Sequence, residues 1–156
     1  MILSLFLAMF SRFIQQLKSV DSTNNYAAKL IKETNVQEIT AILTDEQTHG
    51  RGQRGSNWDS EKNKNLTCSL ILKPNLALNR QFELSVLSAL ALHDFCAKYC
   101  NNVSIKWPND IYINNKKVGG ILIENINQGQ NINYAILGMG CNLNQSEFGS
   151  LLATSI

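Results

Sequence analysis

The sequence lacks several features that would mark common classes of protein. Its 156 residues have a formal net charge of +2 and no run of basic residues, so charge does not argue for nucleic-acid binding. None of the four cysteines has the Cys-x-x-Cys spacing of a zinc or redox motif, so we interpret them as reduced thiols of a cytoplasmic protein. The sequence lacks the Gly-x-Ser-x-Gly motif that would indicate a hydrolase. His49 and His93 have no partner at metal-ligand spacing, so no metal cage is expected.

Long apolar runs are also missing, apart from one at the N-terminus. Residues 1–10, MILSLFLAMF, are too short to span a bilayer and lack the basic flank of a signal peptide. We therefore expect neither a membrane helix nor a secretory signal. Residues 1–12 are treated as an apolar extension, with Met9 as an alternative start, and residues 13–156 are long enough for one domain.

Hydrophobic periodicity predicts a mixed β-sheet with a few helices packed on it, an α+β fold rather than a regular βαβ repeat. One helix should follow the N-cap cluster Asp21-Ser22-Thr23. A second should span residues 81–99 and be well buried, because it is apolar on much of its circumference. Residues 13–20 fit either a strand or a helix. Strands are expected at 39–43, 66–72, 103–106, 111–113, 116–118, 121–126 and 132–139.

A glycine-rich loop follows the first predicted buried strand and reads HGRGQRGSNW at residues 49–58. Three glycines in six residues let the backbone approach a ligand closely. Arg51 and Arg54 add forked donors suited to phosphate or carboxylate. The loop is not a Walker loop, because no Gly-Lys-Ser/Thr closes it, and its glycine spacing excludes a dinucleotide fingerprint. On physical grounds alone, a flexible surface turn fits it equally well.

Two further segments place a lysine beside chemically useful neighbours. In KWPND, residues 106–110, a lysine at a strand end and a carboxylate beyond a proline bend could bind phosphate and accept a proton. In KVGGIL, residues 117–122, the glycines could let a flat ligand lie against the backbone. KWPND alone also fits a solvated strand end, where a Lys–Asp pair contributes under about 1 kcal/mol. KVGGIL alone also fits the end of a β-hairpin with a bulge.

Taken together and in this order, these segments resemble the biotin–protein ligase (biotin–acetyl-CoA-carboxylase ligase) family. The resemblance covers residues 13–146 and is specific because it rests on five ordered motifs. They are DSTN from Asp21, QTHGRGQRGSNW from Gln47, KWPND from Lys106, KVGGILIE from Lys117 and GMGCNLN from Gly138.

The resemblance implies a biotin/lipoate protein ligase-like catalytic domain and an ATP-dependent ligase. Such an enzyme forms biotinyl-5′-AMP from biotin and ATP with Mg²⁺. It then transfers biotin to one lysine of a biotin carboxyl carrier protein or domain. No nucleic-acid or membrane partner is implied, and a homodimer is left open.

The same resemblance assigns roles to individual residues, with no metal ligand among them. The biotin-binding set is Ser22, Thr23, Gln47, Gly50, Arg51, Ser69, Lys117, Gly119, Gly120 and Leu122. The nucleotide-binding set is Arg51, Arg54, Trp58, Lys106, Asn109 and Asn142. The catalytic set is Arg51, Lys106, Asp110 and Lys117, with Asp110 orienting the acceptor amine.

Two departures from the family pattern give further expectations. Gln53 and Ser56 stand where the family often has arginines, which predicts weaker retention of biotinyl-AMP. Family members also continue into a C-terminal domain, so residues 13–156 are expected to be a C-terminally truncated catalytic domain. Without an N-terminal helix-turn-helix segment, no repressor role is expected.

Three other functions stay open on the sequence. A lipoate ligase or octanoyl transferase belongs to the same superfamily, but KWPND and the glycine-rich loop speak against it. A non-catalytic module could hold biotin or its adenylate. A pseudo-ligase could do no more than pair with another subunit.

Overall fold

One mixed sheet organises residues 13–36 and 39–156, the parts of the chain that the computed structural model describes. The apolar extension at residues 1–12 lies outside the described residues. The strands are β1 (Ile14–Leu17), β2 (Thr40–Thr44), β3 (Asn65–Leu72), β4 (Leu76–Ala77), β5 (Val103–Lys106), β6 (Asp110–Ile113), β7 (Lys116–Gln128) and β8 (Asn131–Asn142). They lie in the order β1-β2-β3-β8-β7-β6-β5, and β4 also pairs with β8. The β1–β2 pair is parallel and the others are antiparallel.

Helices α1 (Thr23–Glu33) and α2 (Phe82–Ala97) pack on opposite faces of this sheet. Successive side chains of a strand point to opposite faces. Ser69 of β3 accordingly contacts Asn24 of α1, whereas its neighbour Leu70 packs in a cluster with Leu84 of α2. The mixed sheet with helices packed on it confirms the predicted α+β class.

The hydrophobic core is divided between the two faces. On the α1 face, the buried cluster consists of Ala27, Val36, Ile42, Ile71 and Ile136. On the α2 face, two clusters contain Ala89, Leu92, Cys96, Ile111, Ile113, Val118, Ile121 and Cys141, and Leu84, Ile132, Ala135 and Leu137. The α2 face therefore holds most of the buried apolar residues and leaves part of the other face for a polar site.

The structure confirms both predicted helices but not the expected burial of the second. Ser22 is the N-cap of α1, although its side chain makes no capping hydrogen bond. In α2, Phe82 is 58% exposed and Leu87 is 64% exposed, so the expectation of a well-buried helix is wrong. The reason is that α2 packs on one side against the sheet, which buries one stripe of the helix and leaves the opposite stripe in solvent.

The predicted strands are also present, but β7 and β8 continue through their glycines. Residues 116–118 and 121–126 belong to one strand, with an irregular register between Ile111 and Tyr112 of the neighbouring β6. Strand β8 extends to Asn142 instead of ending before Gly140. The ambiguous segment 13–20 contains β1.

Candidate functional site

A polar cleft of about 380 Å³ lies at the N-terminal end of α1, on the α1 face of the sheet. It gathers five segments of the chain: the start of α1, the glycine-rich loop, the β5–β6 turn, and the glycine-containing parts of β7 and of β8. Predicted site residues on its lining are Ser22, Thr23, Gln47, Arg51, Arg54, Trp58, Lys106, Asn109, Asp110, Lys117, Gly120 and Leu122. Twelve of the sixteen predicted site residues therefore come together in one place.

Glycines of β7 and β8 form part of the cleft floor. Gly120 and Gly140 are register partners, and the indole of Trp58 lies over both. A Cβ at Gly140 would stand 2.6 Å from Trp58 Nε1, so a larger residue would displace the ring. The indole N–H is buried and has no hydrogen-bond partner among the described residues. The glycines thus let the flat indole of Trp58 lie directly against the strand backbone.

The charged groups at the β5–β6 turn pair differently from the sequence expectation. Asp110 Oδ1 lies 2.8 Å from Lys117 Nζ, and Asn109 Nδ2 donates to the same oxygen at 3.1 Å. The ammonium of Lys106 instead lies 5.5 Å from the ring centroid of Tyr112. Although Lys106 and Asp110 are backbone register partners, the lysine that pairs with the carboxylate is Lys117, because β7 pairs with β6 and brings it there.

Arg51 is held at the edge of the cleft by two acceptors. One guanidinium nitrogen donates to Asn25 Oδ1 and another is paired with Glu124 Oε1. The second oxygen of Glu124 accepts a hydrogen bond of 2.7 Å from Asn24 Nδ2. Asn25 also donates to Asp21, and this bond holds the pKa of the Asp21 carboxyl below its usual range. The arginine is therefore oriented by groups from α1 and β7.

A group of buried hydroxyls and amides forms the other wall. Gln47 Oε1 accepts hydrogen bonds from the backbone N–H of Thr23 at 2.8 Å and from its hydroxyl at 3.1 Å. Beneath them, Ser69 Oγ lies 2.8 Å from Thr23 Oγ1 and 2.6 Å from Asn24 Oδ1. Ser22 is only 2% exposed. These groups can offer directed hydrogen bonds to a compact polar ring.

Four predicted site residues are not on the cleft lining. Ser69 is fully buried and supports Thr23 from below. A side chain at Gly119 would point to the α2 face, because its Cβ would stand 3.1 Å from Leu92. Gly50 lies against the backbone of Trp58 and permits the loop to close. Asn142 donates through Nδ2 to the carbonyl of Thr154 at 3.0 Å.

Two cleft-side residues that sequence reasoning did not single out are Asn24 and Glu124. Asn24 is 3% exposed and lines the cleft. A Cβ at Gly138 would collide with its side-chain amide, which explains the glycine there. Glu124 has the same strand parity as Gly120 and Leu122. This period of two, applied within the predicted strand 121–126, would have placed Glu124 on the same face as Leu122.

Within residues 13–36 and 39–156, no group of three or more His, Cys, Asp or Glu side chains could hold a metal ion. Asp110 and Glu124 are each already paired with a cation. Magnesium prefers phosphate oxygens and retained waters and needs few protein carboxylates, so its binding together with a nucleotide is compatible with these residues. In the described part of the chain, neither helix has the length and apolarity needed to cross a membrane.

Comparisons with curated proteins point to one family. Residues 16–142 match the biotin/lipoate A/B protein ligase family. The chain is 36% identical over 129 residues to the bifunctional ligase/repressor BirA of Bacillus spizizenii, covering 82% of this chain and 40% of that protein. It is 36% identical over 130 residues to the biotin–[acetyl-CoA-carboxylase] ligase of Paracoccus denitrificans, covering 81% and 53%. The chain thus spans about half or less of the length of these relatives.

Solved structures agree with this result. The biotin protein ligase of Leishmania major, in complex with biotinyl-5-AMP, superposes with a TM-score of 0.73 at 29% identity, covering 91% of this chain and 62% of that one. The biotin protein ligase of Aquifex aeolicus, in complex with biotin and ATP, gives a TM-score of 0.67 at 35% identity, covering 91% and 58%. The chain belongs to the biotin/lipoate A/B protein ligase family, and its fold is that of the biotin protein ligase catalytic domain.

Proposed function

We propose that this chain carries the catalytic core of a biotin–protein ligase, which forms biotinyl-5′-AMP from biotin and magnesium-bound ATP and transfers biotin to a lysine of a biotin carboxyl carrier protein or domain. The observation that carries this proposal is the single cleft in which the loop arginines, the KWPND turn and the glycines of β7 and β8 meet. The named relatives and the ligands of the neighbouring structures support the same reaction class.

In this proposal, the biotin ring binds at the wall built from the start of α1 and the end of β2. Ser22, Thr23 and Gln47 face the ring, and Ser69 fixes Thr23 from beneath. Gly50 closes the loop beside the ring, and Gly120 with Leu122 lines the floor. Gly119 contributes through the backbone of β7, since its side-chain direction faces the core.

The first half-reaction joins two groups of like charge. The biotin carboxylate attacks the α-phosphate of ATP and pyrophosphate leaves. Arg51 and Lys117 line the cleft and are the cations that offset the negative charge where it develops. Glu124 pairs with Arg51 and Asp110 pairs with Lys117, so protein carboxylates already hold both cations beside the cleft. Positioning and electrostatics supply most of the rate.

The nucleotide lies toward the glycine-rich loop and the β5–β6 turn. Trp58 supplies an aromatic face for adenine, and Arg54, Lys106 and Asn109 line the phosphate side. Asn142 serves adenine only after its amide is released from the Thr154 carbonyl. This assignment therefore requires residues 154–156 to shift relative to β8 when the nucleotide binds.

The second half-reaction transfers biotin from the mixed anhydride to the acceptor lysine. A free lysine has a pKa near 10.4, so little of it is neutral at pH 7. Asp110 orients this amine and accepts its proton. Because Lys117 and Asn109 both engage Oδ1, we assign Oδ2 to the incoming amine. Lys106 stabilises the departing AMP phosphate.

Biotin-dependent exchange of pyrophosphate into ATP tests the first half-reaction on the purified 156-residue chain with magnesium. We expect exchange with biotin and none with lipoate or octanoate. Biotin binding without exchange would favour a non-catalytic module that holds biotin. Neither exchange nor binding would favour a pseudo-ligase that pairs with another subunit.

A further inference from the structure

A continuous line of polar contacts joins the two ends of the proposed biotin site. Thr23 contacts Ser69, and Ser69 Oγ lies 2.6 Å from Asn24 Oδ1. Asn24 Nδ2 donates to Glu124 Oε2 at 2.7 Å, and Glu124 Oε1 is paired with Arg51. The line therefore runs from the groups assigned to the ring to the arginine assigned to the carboxylate.

Within this line of contacts, the carboxylate of Glu124 holds the charged side chain of Arg51 in place. Its position on β7 has the same parity as Gly120 and Leu122, so a rigid central strand of the sheet sets the position of its carboxylate. Asn24, which is 3% exposed, fixes the second carboxylate oxygen. Glu124 is thus oriented independently of the loop that carries Arg51.

Arg51 by itself would not be well oriented. Its side chain is 41% exposed and belongs to a loop, and a free arginine side chain loses rotamer entropy when it is ordered. The pairs with Glu124 and Asn25 engage separate nitrogens and so define the plane of the guanidinium. Because the guanidinium has five N–H donors in a planar fork, the remaining donors can face a ligand carboxylate.

We propose that Glu124 is a positioning residue that orients Arg51 toward the carboxylate of biotin, with Asn24 fixing Glu124. This inference rests on the proposed function, because it assumes that biotin occupies the cleft. Glu124 touches no reacting atom and acts through Arg51. Its removal should therefore weaken the recognition of the carboxylate and leave the recognition of the ring unchanged.

Isothermal titration of the full chain with biotin and with biotin carboxamide separates these two contributions. For Glu124→Ala, we expect the dissociation constant for biotin to rise about 10-fold, in line with the loss of an oriented charge-assisted contact. The constant for the carboxamide should change less than twofold. Glu124→Gln, which retains an acceptor for Arg51, should recover part of the loss.

A double-mutant cycle tests whether Glu124 acts through Arg51. Arg51→Ala/Glu124→Ala should bind biotin no more weakly than Arg51→Ala alone. Glu46→Ala is the matched control: the side chain of Glu46 is 34% exposed, like that of Glu124, and it is also paired with a cation, Lys62. Glu46→Ala should leave both ligands unaffected.

The binding measurements distinguish a failure of the positioning role from a failure of the proposed function. Equal weakening of biotin and biotin carboxamide by Glu124→Ala, or full additivity in the cycle, would overturn the positioning role while leaving the proposed function intact. Unchanged biotin binding in Glu124→Ala would do the same. No biotin binding by the unmodified chain would instead overturn the proposed function, and the inference with it.

Discussion

Gly119 and Gly120 are adjacent in β7 but serve opposite faces of the sheet. A Cβ at Gly119 would press on Leu92 of α2 and on the backbone of Gly140. A Cβ at Gly120 would meet Trp58 and Lys117 in the cleft. The same residue type thus permits core packing at one position and a close approach of functional side chains at the next.

The two faces of the whole sheet differ in the same way. The α2 face is filled by apolar residues that are buried against the helix, whereas the cleft part of the α1 face holds glycines, amides and paired charges. Apolar burial stabilises the fold, while partly exposed ion pairs such as Lys117–Asp110 contribute little to stability. Stability and ligand chemistry should therefore respond to different substitutions.

Leu92→Ala should have the largest effect and should act on stability alone. Leu92 is 4% exposed in the α2-face core, so its truncation should lower the free energy of unfolding by about 3 kcal/mol. Urea denaturation measures this change. Leu87→Ala, on the same helix but 64% exposed, should change it by less than about 0.5 kcal/mol. Equal losses in the two variants would contradict the assignment of faces.

Lys117→Ala should reduce activity and leave stability nearly unchanged. We expect the rate of biotin-dependent ATP–pyrophosphate exchange to fall about 100-fold, because a cation aimed at developing charge is removed. The urea midpoint should change little, since the Lys117–Asp110 pair is partly exposed. Lys116→Ala, an exposed neighbour outside the cleft lining, is the control and should exchange normally. A comparable loss in both variants would remove the distinction between the two lysines.

Cys68 is a buried cysteine whose ionisation makes the free energy of unfolding depend on pH. Burial raises the pKa of its thiol from the ordinary 9.0 to about 11. Between these values the unfolded chain loses a proton that the folded chain retains, so stability is complete below pH 9 and declines as the pH rises toward 11. A shift of two pKa units corresponds to at most about 2.7 kcal/mol of stability. Urea titrations at pH 8 and pH 10.5 should show a smaller decline in Cys68→Ala than in the unmodified chain. Cys100→Ala, at a less buried cysteine, should not reduce it.

Gln53→Arg should have the smallest effect and should be confined to the cleft. Gln53 lines the cleft at a position where the family often has arginine, so the added cation should slow the release of biotinyl-AMP a few-fold. Rapid gel filtration after adenylation, followed over time, measures the retained intermediate. Ser56→Ala serves as a control of similar location without added charge. Release at the same rate from Gln53→Arg and from the unmodified chain would refute the predicted leakage.

Much of the fold could be predicted because its signals are local. The N-cap at Ser22 precedes a helix with an apolar face, and the Asn114-Asn115 turn joins β6 to β7 with positive φ at both asparagines. The strands that form β7 and β8 were predicted to end at their glycines, because isolated glycines usually weaken strands. Their compatibility with a strand depends on Asn24 and Trp58, which lie over Gly138 and Gly140 and come from distant segments.

Hydrophobic periodicity predicted the α+β class, because it is a local property of the sequence. The five ordered motifs implied most residues of the cleft through their resemblance to the family. Which charged side chains pair with each other depends on the tertiary structure. Lys117 rather than Lys106 pairs with Asp110, and Glu124 of β7 pairs with Arg51. Such pairs depend on strand register and on the face to which each side chain points. A register shift of one residue would change the pairing and move each side chain to the opposite face.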